Sequence, residues 1–455
     1  MRSRTSSLVA CLVLSVLLNS RPALAADPPH APQEAPKKEA HAIDLPTALR
    51  LAGAQNLDVD IARTKLDEAR ANHLSALEQF LPSASPGFTY RRHDNNLQDT
   101  EGNILDVHKQ SYAAGGTFSA QVDLGNALYA ALETHRLEKA AGHALDAKRE
   151  ETILAAAEGY FDLVKAQALV RSAREAVRVA REYEEQLGRA VTIGIAFKGD
   201  QLRARVQRQK EEIGLRRSEE ERRVAAARLS ETLRLDSTVE LVAQDADLVP
   251  VALVKADETE AGLVQKALAS RPELKRSQAL LEAAKQARRG AVFGPLIPTA
   301  GAQAFAGGLG GGKHASTASF GESEDYQATV SWRIGPGGLF DLGRIRATRA
   351  REESARLEGE KATAEITREV VEELARVRSL GDRMATAKRS LRDAEETLRL
   401  TRARKEFGVG NVLEDIQSQQ DLARAREEYV RLVAEYDKAQ YALGRTIGLL
   451  PSVIP

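Results

Sequence analysis

Between Tyr326 and Ile334 the side chains alternate: Tyr326, Ala328, Val330, Trp332 and Ile334 are apolar, and Gln327, Thr329, Ser331 and Arg333 between them are polar. A period of two predicts a strand with one apolar and one polar face. Gly335, Pro336, Gly337 and Gly338 end it. Beyond Asp341 and Gly343 no proline or turn cluster interrupts a helix-favouring run until Gly408. That run of about 65 residues corresponds to a helix of roughly 100 Å, far longer than a globular core requires. The same join occurs upstream. Tyr112–Asp123 alternates, and Asp123, Leu124, Gly125 and Asn126 then lead into an uninterrupted run ending near Gly194.

The chain therefore reads as a duplication. After a polar, Pro-rich lead (26–43), a first repeat at 44–235 contains a helix over 45–80, strands near 83–95 and 110–123 around a polar loop, and long helices over 126–193 and 201–234. An acidic, irregular connector at 236–259 precedes a second repeat at 260–450. This has a helix over 263–296, strands near 299–309 and 325–334, and long helices over 344–407 and 411–449, with a tail at 451–455. Gly194 and Gly408, Asp200 and Glu414, and Leu235 and Leu449 are all 214 positions apart; Ala48 and Leu263, and Asn56 and Arg271, are 215 apart.

Apolar spacing predicts how these helices pack. Leu422, Ala425, Tyr429, Leu432, Tyr436, Ala439 and Leu443 form a heptad seam. The first long helix has two neighbouring seams, Leu154, Ala157, Phe161, Val164 and Ala168 beside Ile153, Ala156, Tyr160, Leu163 and Val170. Partners on both sides suit a ring of helices or a position inside a bundle, and periodicity leaves both open. Residues 201–229 are too charged to fit well. Four alternating strands do not close a membrane barrel, which takes at least about eight, so a spanning sheet must be shared among copies. Tyr326 and Trp332 on the apolar face then suit the two lipid interfaces. A soluble four-stranded sheet would alternate in the same way, but leaves the long helices and the 4% aromatic content unexplained.

Composition narrows the choice. Lys+Arg and Asp+Glu are both 65, so nothing electrostatic favours a nucleic-acid partner, and the charge runs read as solvated helix faces. Residues 1–25 have Arg2 and Arg4, an apolar run from Leu8 to Leu18, and Ala23-Leu24-Ala25, the pattern of a cleavable secretory signal. Cys11, the single cysteine, lies before most of that run, a poor place for lipidation, and is removed with the signal. No other stretch is long and apolar enough for a spanning helix. A closed β-barrel is the remaining way to span a membrane.

Several motifs resemble the TolC family of outer-membrane efflux proteins. Arg271-Pro272-Glu273-Leu274 is similar to the family's repeat start, and Leu339-Phe340-Asp341-Leu342-Gly343-Arg344 to its strand-to-helix join. Ile193-Gly194-Ile195 followed by Asp200, and Phe407-Gly408-Val409 followed by Leu413-Glu414-Asp415-Ile416-Gln417, are similar to its two periplasmic tips. The resemblance spans the chain after the signal. It implies a mainly α fold with a transmembrane β-barrel: a homotrimer in the outer membrane of a Gram-negative cell, with four strands per protomer in a shared 12-stranded barrel and coiled-coil hairpins forming a periplasmic α-barrel. It also implies tips that meet a periplasmic adaptor, or membrane fusion protein, coupled to an inner-membrane pump of RND, ABC or MFS type, or to type I secretion. The implied aperture residues are Asp200, Glu414, Asp415 and Gln417. Family tips often carry two acidic residues three apart. Here these positions are Glu414 and Gln417, which weakens a carboxylate ring unless Asp415 turns inward. Arg402, Arg404 and Lys405 precede the turn as candidate ion-pair partners.

Chemistry beyond transport finds little support. The eight His show no HExxH and no paired metal spacing, so no metal or other cofactor is expected. Gly307-Gly308-Leu309-Gly310-Gly311-Gly312-Lys313 lacks the Ser/Thr and the following helix of a phosphate loop. The expected function is a passive exit duct, not an enzyme. A secreted periplasmic coiled-coil spacer or adaptor is the other reading.

Overall fold

The computed structural model describes residues 40–245, 248–255, 258–313, 319–406 and 412–450. The expected signal, nearly all of the lead, Phe407, Gly408 and Val409 of the second tip, and the tail lie outside these residues. In the first half β1 (Ala40–Ile43), α1 (Leu45–Gln55) and α2 (Leu57–Glu78) lead to β2 (Ser83–His93), and a small hairpin, β3 (Asn96–Gln98) and β4 (Ile104–Asp106), follows. Then come β5 (Lys109–Asp123), α3 (Leu124–Thr192), α4 (Lys198–Thr232) and β6 (Glu240–Ala243). The second half restates the order: α5 (Glu260–Ser270), α6 (Pro272–Phe293), β7 (Thr299–Lys313), β8 (Gly321–Ser331), α7 (Leu342–Glu406) and α8 (Val412–Thr446).

Several segments differ from the sequence expectation: β8 ends at Ser331 and not Ile334, β7 runs on through the glycines to Lys313, and the polar loop holds the β3–β4 hairpin. The helix expected over 45–80 is two helices, because Asn56 is extended and its side chain accepts from Asp58 N at 2.8 Å, capping α2. Its amide also donates to Thr232 O at the end of α4, at 2.8 Å. The helix expected over 263–296 breaks at the matching place, where Pro272 disfavours a helical Arg271. Residues 40–43, expected to be part of the lead, form β1, which pairs in parallel with β6 in the connector expected to be irregular. Each strand has only four residues, and its partner is about 200 positions away.

The strand-to-helix joins are matched. Asp123 accepts from Asn126 N at 3.1 Å, and Asp341 from Arg344 N at 2.9 Å, each satisfying an N–H that the helix start leaves unpaired. Arg344 Nη2 also donates to Asn126 Oδ1 at 2.9 Å, tying the start of α7 to that of α3. Gly125 packs so closely on the Gly294 backbone that a side chain has no room.

α3 has 69 residues, about 100 Å of helix, and packs against α1, α2, α4, α6 and α8. Ile153, Ala156, Tyr160 and Leu163 of one seam and Ala157, Phe161 and Val164 of the other are all buried. The α8 seam behaves similarly: Leu432, Ala439 and Leu443 are buried with Val370, Leu374 and Val377 of α7, and Tyr429 and Tyr436 pack beside them. Pseudo-symmetry extends to the helix ends. Arg234 and Gly448, 214 positions apart, both have left-handed backbones, with φ of 55° and 72°. Each is followed by a residue whose N–H reaches back to a carbonyl of the last helical turn, Leu235 to Ser230 and Leu449 to Gly444.

Candidate functional site

β2, β5, β7 and β8 form one antiparallel sheet in that order. Its register sorts the side chains by polarity. One face brings together Val330, Ala328 and Tyr326 of β8, Ala300, Ala302 and Ala304 of β7, Val122, Ala120, Phe118, Ala114 and Tyr112 of β5, and Ala84, Phe88 and Tyr90 of β2. The other carries Ser331, Thr329 and Gln327, Thr299 and Gln303, Gln121, Ser119 and Thr117, and Ser83, Ser85 and Thr89. Phe88, Phe118, Tyr326 and Val330 are all more than half exposed, so nothing among the described residues covers the apolar face. On β8 Glu324 and Glu322 follow Tyr326 on the same face, while on β5 the apolar run spans ten residues from Val122 to Tyr112, about 34 Å along a strand. Tilted by about 40°, that is close to the roughly 25 Å apolar band of an outer-membrane barrel.

Of the two expected interface aromatics, Tyr326 donates to Glu324 Oε2 at 3.1 Å, and Trp332, just past β8, donates to Leu296 O at 3.2 Å. On the polar face Phe305 lies over the facing glycines 115 and 307, where a Cβ would collide with its ring. Both β2 and β8 are edge strands.

At the far end of the helices, Ile193, Gly194 and Ile195 close α3. Gly194 has φ of 81°, its N–H bonds Val191 O at 3.1 Å, and Ile195 N bonds Ala190 O at 3.0 Å. This left-handed cap suits glycine, which lacks the Cβ that would strain it. Ile193, Ile195 and Phe197 are each at least 70% exposed, an apolar cluster at the tip.

The expected aperture residues separate in space. Glu414 pairs with Arg404 of α7 at 2.9 Å, and both are partly exposed. Of the candidate cations, Arg404 thus makes the contact. Arg402 lines the groove between the hairpins, and the side chain of Lys405 is outside the described residues. Asp415 turns into the chain: it is 3% exposed, accepts from Gln419 Nε2 at 3.2 Å and faces the Tyr183 phenol. Burial first, and then the charge of Asp415, push the Tyr183 hydroxyl well above its ordinary pKa. Gln417 is exposed, while Asp200, in the first turn of α4, pairs with Arg203 at 3.1 Å. Polar contacts below this level hold the hairpins together, Gln420 to Gln207 at 2.6 Å and Thr401 to Ser418 at 3.2 Å. Tyr183, Leu187, Ala204 and Ile416 form a small apolar core beside them. A groove of about 1010 Å³ between α3, α4, α7 and α8 is lined by Glu175, Arg178, Glu211, Glu395 and Arg399 among others.

Arg271 and Glu273 of the repeat-start motif form a second set of polar residues around the middle of the long helices, with Glu150, Glu369 and Arg445, which the sequence does not link to them. Arg271 is buried and paired with Glu273 at 2.9 Å and Glu369 at 3.1 Å, while Arg445 holds Glu273 at 2.9 Å. Glu150 of α3 lies in the same cluster. Burial, reinforced by Glu273 and opposed by the two arginines, pushes its carboxyl up to about 7. Farther along α8, Asp437 accepts from Val251 N at 2.7 Å and Gln440 from Leu253 N and Val254 N at 3.1 and 2.9 Å, strapping the connector down.

Residues 263–449 match the family model described as outer membrane efflux protein. The match covers the second repeat and not the first. Comparison with curated proteins by sequence finds no match. Solved structures extend the likeness over both halves. The CmeC outer membrane channel of Campylobacter jejuni superposes with a TM-score of 0.76 at 14% identity, covering 89% of this chain and 85% of that one. A membrane protein from Pseudomonas aeruginosa gives 0.75 at 18%, covering 89% and 93%. CusC, described in connection with transmembrane channel formation, gives 0.74 at 19%, covering 93% and 99%. At such identities the likeness is one of fold. The chain is mainly helical and has the fold of these outer-membrane channels. Among the described residues no helix is long and apolar enough to cross a membrane.

Proposed function

We propose that the chain is an outer-membrane efflux channel that works as a homotrimer: four strands from each copy close a 12-stranded barrel in outer-membrane lipid, and the helices continue it as a tunnel through the periplasm of a Gram-negative cell. Substrate, whether small molecules or secreted protein, passes from an inner-membrane pump through a periplasmic adaptor into this duct. The observation that carries the proposal is the sheet, with one apolar face, one polar face and two open edges. In hydrocarbon an unpaired edge costs several kcal/mol per unsatisfied backbone group, so β2 and β8 need partners, and closure on identical copies supplies them. β5 runs straight into α3, and β8 reaches α7 through residues 332–341; both helix starts are capped, which supports a single continuous conduit. The exposed Ile193, Ile195 and Phe197 beside the Gly194 turn suit an adaptor contact, with Phe407, Gly408 and Val409 as the second tip.

Cysteine cross-linking tests closure. With Thr329→Cys in β8 and a scan of single cysteines at Ser85, Gly87 and Thr89 in β2, oxidised outer membranes should yield a linked species of three chains and nothing larger. Monomer throughout, or a ladder beyond three, overturns the shared barrel. Recovery of the chain in the soluble periplasm would favour the spacer reading.

A further inference from the structure

We propose that His73, His135 and Glu138 bind a divalent transition-metal ion of the zinc class between α2 and α3. The sequence hides this set: its two histidines are 62 positions apart, so neither lies at a ligand spacing from the other. The fold joins them. His135 and Glu138 sit one turn apart on α3, His73 faces them from α2, and one ligand atom from each lies within 4.8 Å of the others. The imidazole rings are 5.2 Å apart and tilted by 42°, not stacked face to face.

The surroundings of His73 select the ligand nitrogen. The Thr134 hydroxyl gives its proton to Ala130 O at 2.8 Å, so at its 3.1 Å contact with His73 Nδ1 it accepts. Nδ1 then carries the hydrogen, and Nε2 keeps the lone pair that a metal uses. An outer hydrogen bond of this kind fixes ring orientation and tautomer at many metal sites. Two imidazoles and one carboxylate suit zinc, leaving a fourth position for water, whereas magnesium and calcium prefer oxygen ligands. Metal–ligand bonds of about 2.0–2.1 Å require the three atoms to close by at most roughly 1.5 Å. All three side chains are partly exposed, so torsions alone can supply that movement. Arg70 opposes binding, with Nε 3.7 Å from Glu138, but its Nη1 already reaches Asp67 at 3.1 Å and gives the guanidinium an alternative anion.

The full chain, purified in detergent and stripped with chelator, should take up one Zn²⁺ per chain with micromolar or tighter affinity by competition against a chromogenic zinc dye, with no competition from excess Mg²⁺. Co²⁺ should give the visible bands of a low-coordinate nitrogen and oxygen site. His73→Ala, His135→Ala and Glu138→Gln should each weaken binding at least tenfold, with unchanged far-ultraviolet circular dichroism. His108→Ala, at a second acidic neighbourhood, should bind as wild type does. The proposal is overturned if wild type takes up no Zn²⁺, if His73→Ala and His135→Ala bind as wild type, or if His108→Ala alone abolishes binding. Should an alanine variant misfold, the conservative Glu138→Gln decides.

Discussion

Gly194, Arg234 and Gly448 close α3, α4 and α8 with left-handed backbones, and they differ in a measurable way. Gly448 has a left-handed backbone and also lies against the Ser270 side chain, which leaves no room for a Cβ. Gly194 has the same handedness with open space around it. Replacing a left-handed glycine by alanine costs about 1–2 kcal/mol, so Gly194→Ala should lose about that much and Gly448→Ala more, read as shifts of the urea midpoint. Arg234 already bears that strain, and its ion pair with Asp60 at 3.0 Å is exposed, worth no more than about 1 kcal/mol. Arg234→Gly should therefore be neutral or stabilising. Asp437 supplies a pH test. Burial pushes its carboxyl up to about 7, opposed only by the Val251 hydrogen bond, while an unfolded Asp titrates near 4. The folded state then holds the extra proton between about pH 4 and 7, so stability falls as pH rises through that window. Glu150, also raised to about 7, acts in the same direction. Asp437→Asn keeps an acceptor for Val251 and removes the buried charge. Thermal unfolding should find it more stable than wild type at pH 8, and the gap should shrink towards pH 4. A gap that widens on acidification would refute the assignment.

At the scale of strands and helices, the apolar face of the sheet makes the sharpest claim. Val330 and Ser331 are neighbours in β8 and point to opposite faces. An arginine facing lipid near the midplane costs roughly 2–4 kcal/mol, while one facing a water-filled lumen costs little. Val330→Arg should reduce assembled protein in the outer membrane well below Ser331→Arg, as measured by heat-resistant oligomer on gels; equal assembly would reverse the faces. These strands were readable because alternation is a local signal that their pairing repeats at every step. The long helices were readable because neither proline nor a turn cluster interrupts α3 or α7. β1 and β6 were not, since four residues of mixed polarity carry no period and their pairing spans the first half of the chain. The break at Asn56 also went unseen: its cap on α2 is local, but the contact with Thr232 at the end of α4 that accompanies it is not. Adjacent carboxylates Glu414 and Asp415 look equivalent in sequence, yet 100° of helix rotation sends one to Arg404 and the other to Tyr183. His73 and His135 were read as scattered for the same reason: packing of α2 on α3, not spacing, brings them together.

For the whole molecule the question is what holds the periplasmic end of the tunnel. In the proposed trimer a threefold axis brings three copies of Glu414 near one another, and like charges at close range repel unless neutralised. Asp415 adds nothing to that ring, being buried within its own chain, and Gln417 is uncharged, so Glu414 and its partner carry the electrostatics. Each exposed Glu414–Arg404 pair is worth up to about 1 kcal/mol. Three acting together give up to about 3 kcal/mol, or roughly a hundredfold in the closed-to-open equilibrium. Losing Arg404 leaves the carboxylates bare as well as unpaired. Arg404→Ala should therefore raise the open probability of trimers in planar bilayers by up to that factor and strengthen cation selectivity. Glu414→Ala should also favour opening but with weaker cation selectivity and less block by divalent cations, and the double variant should open no further than either single one. Glu396→Ala serves as the control, because Glu396 pairs with Arg399 of its own helix and is exposed. Wild-type currents, selectivity and block in Glu414→Ala would reduce that residue to a favourable charge at the start of α8 and move the gate elsewhere.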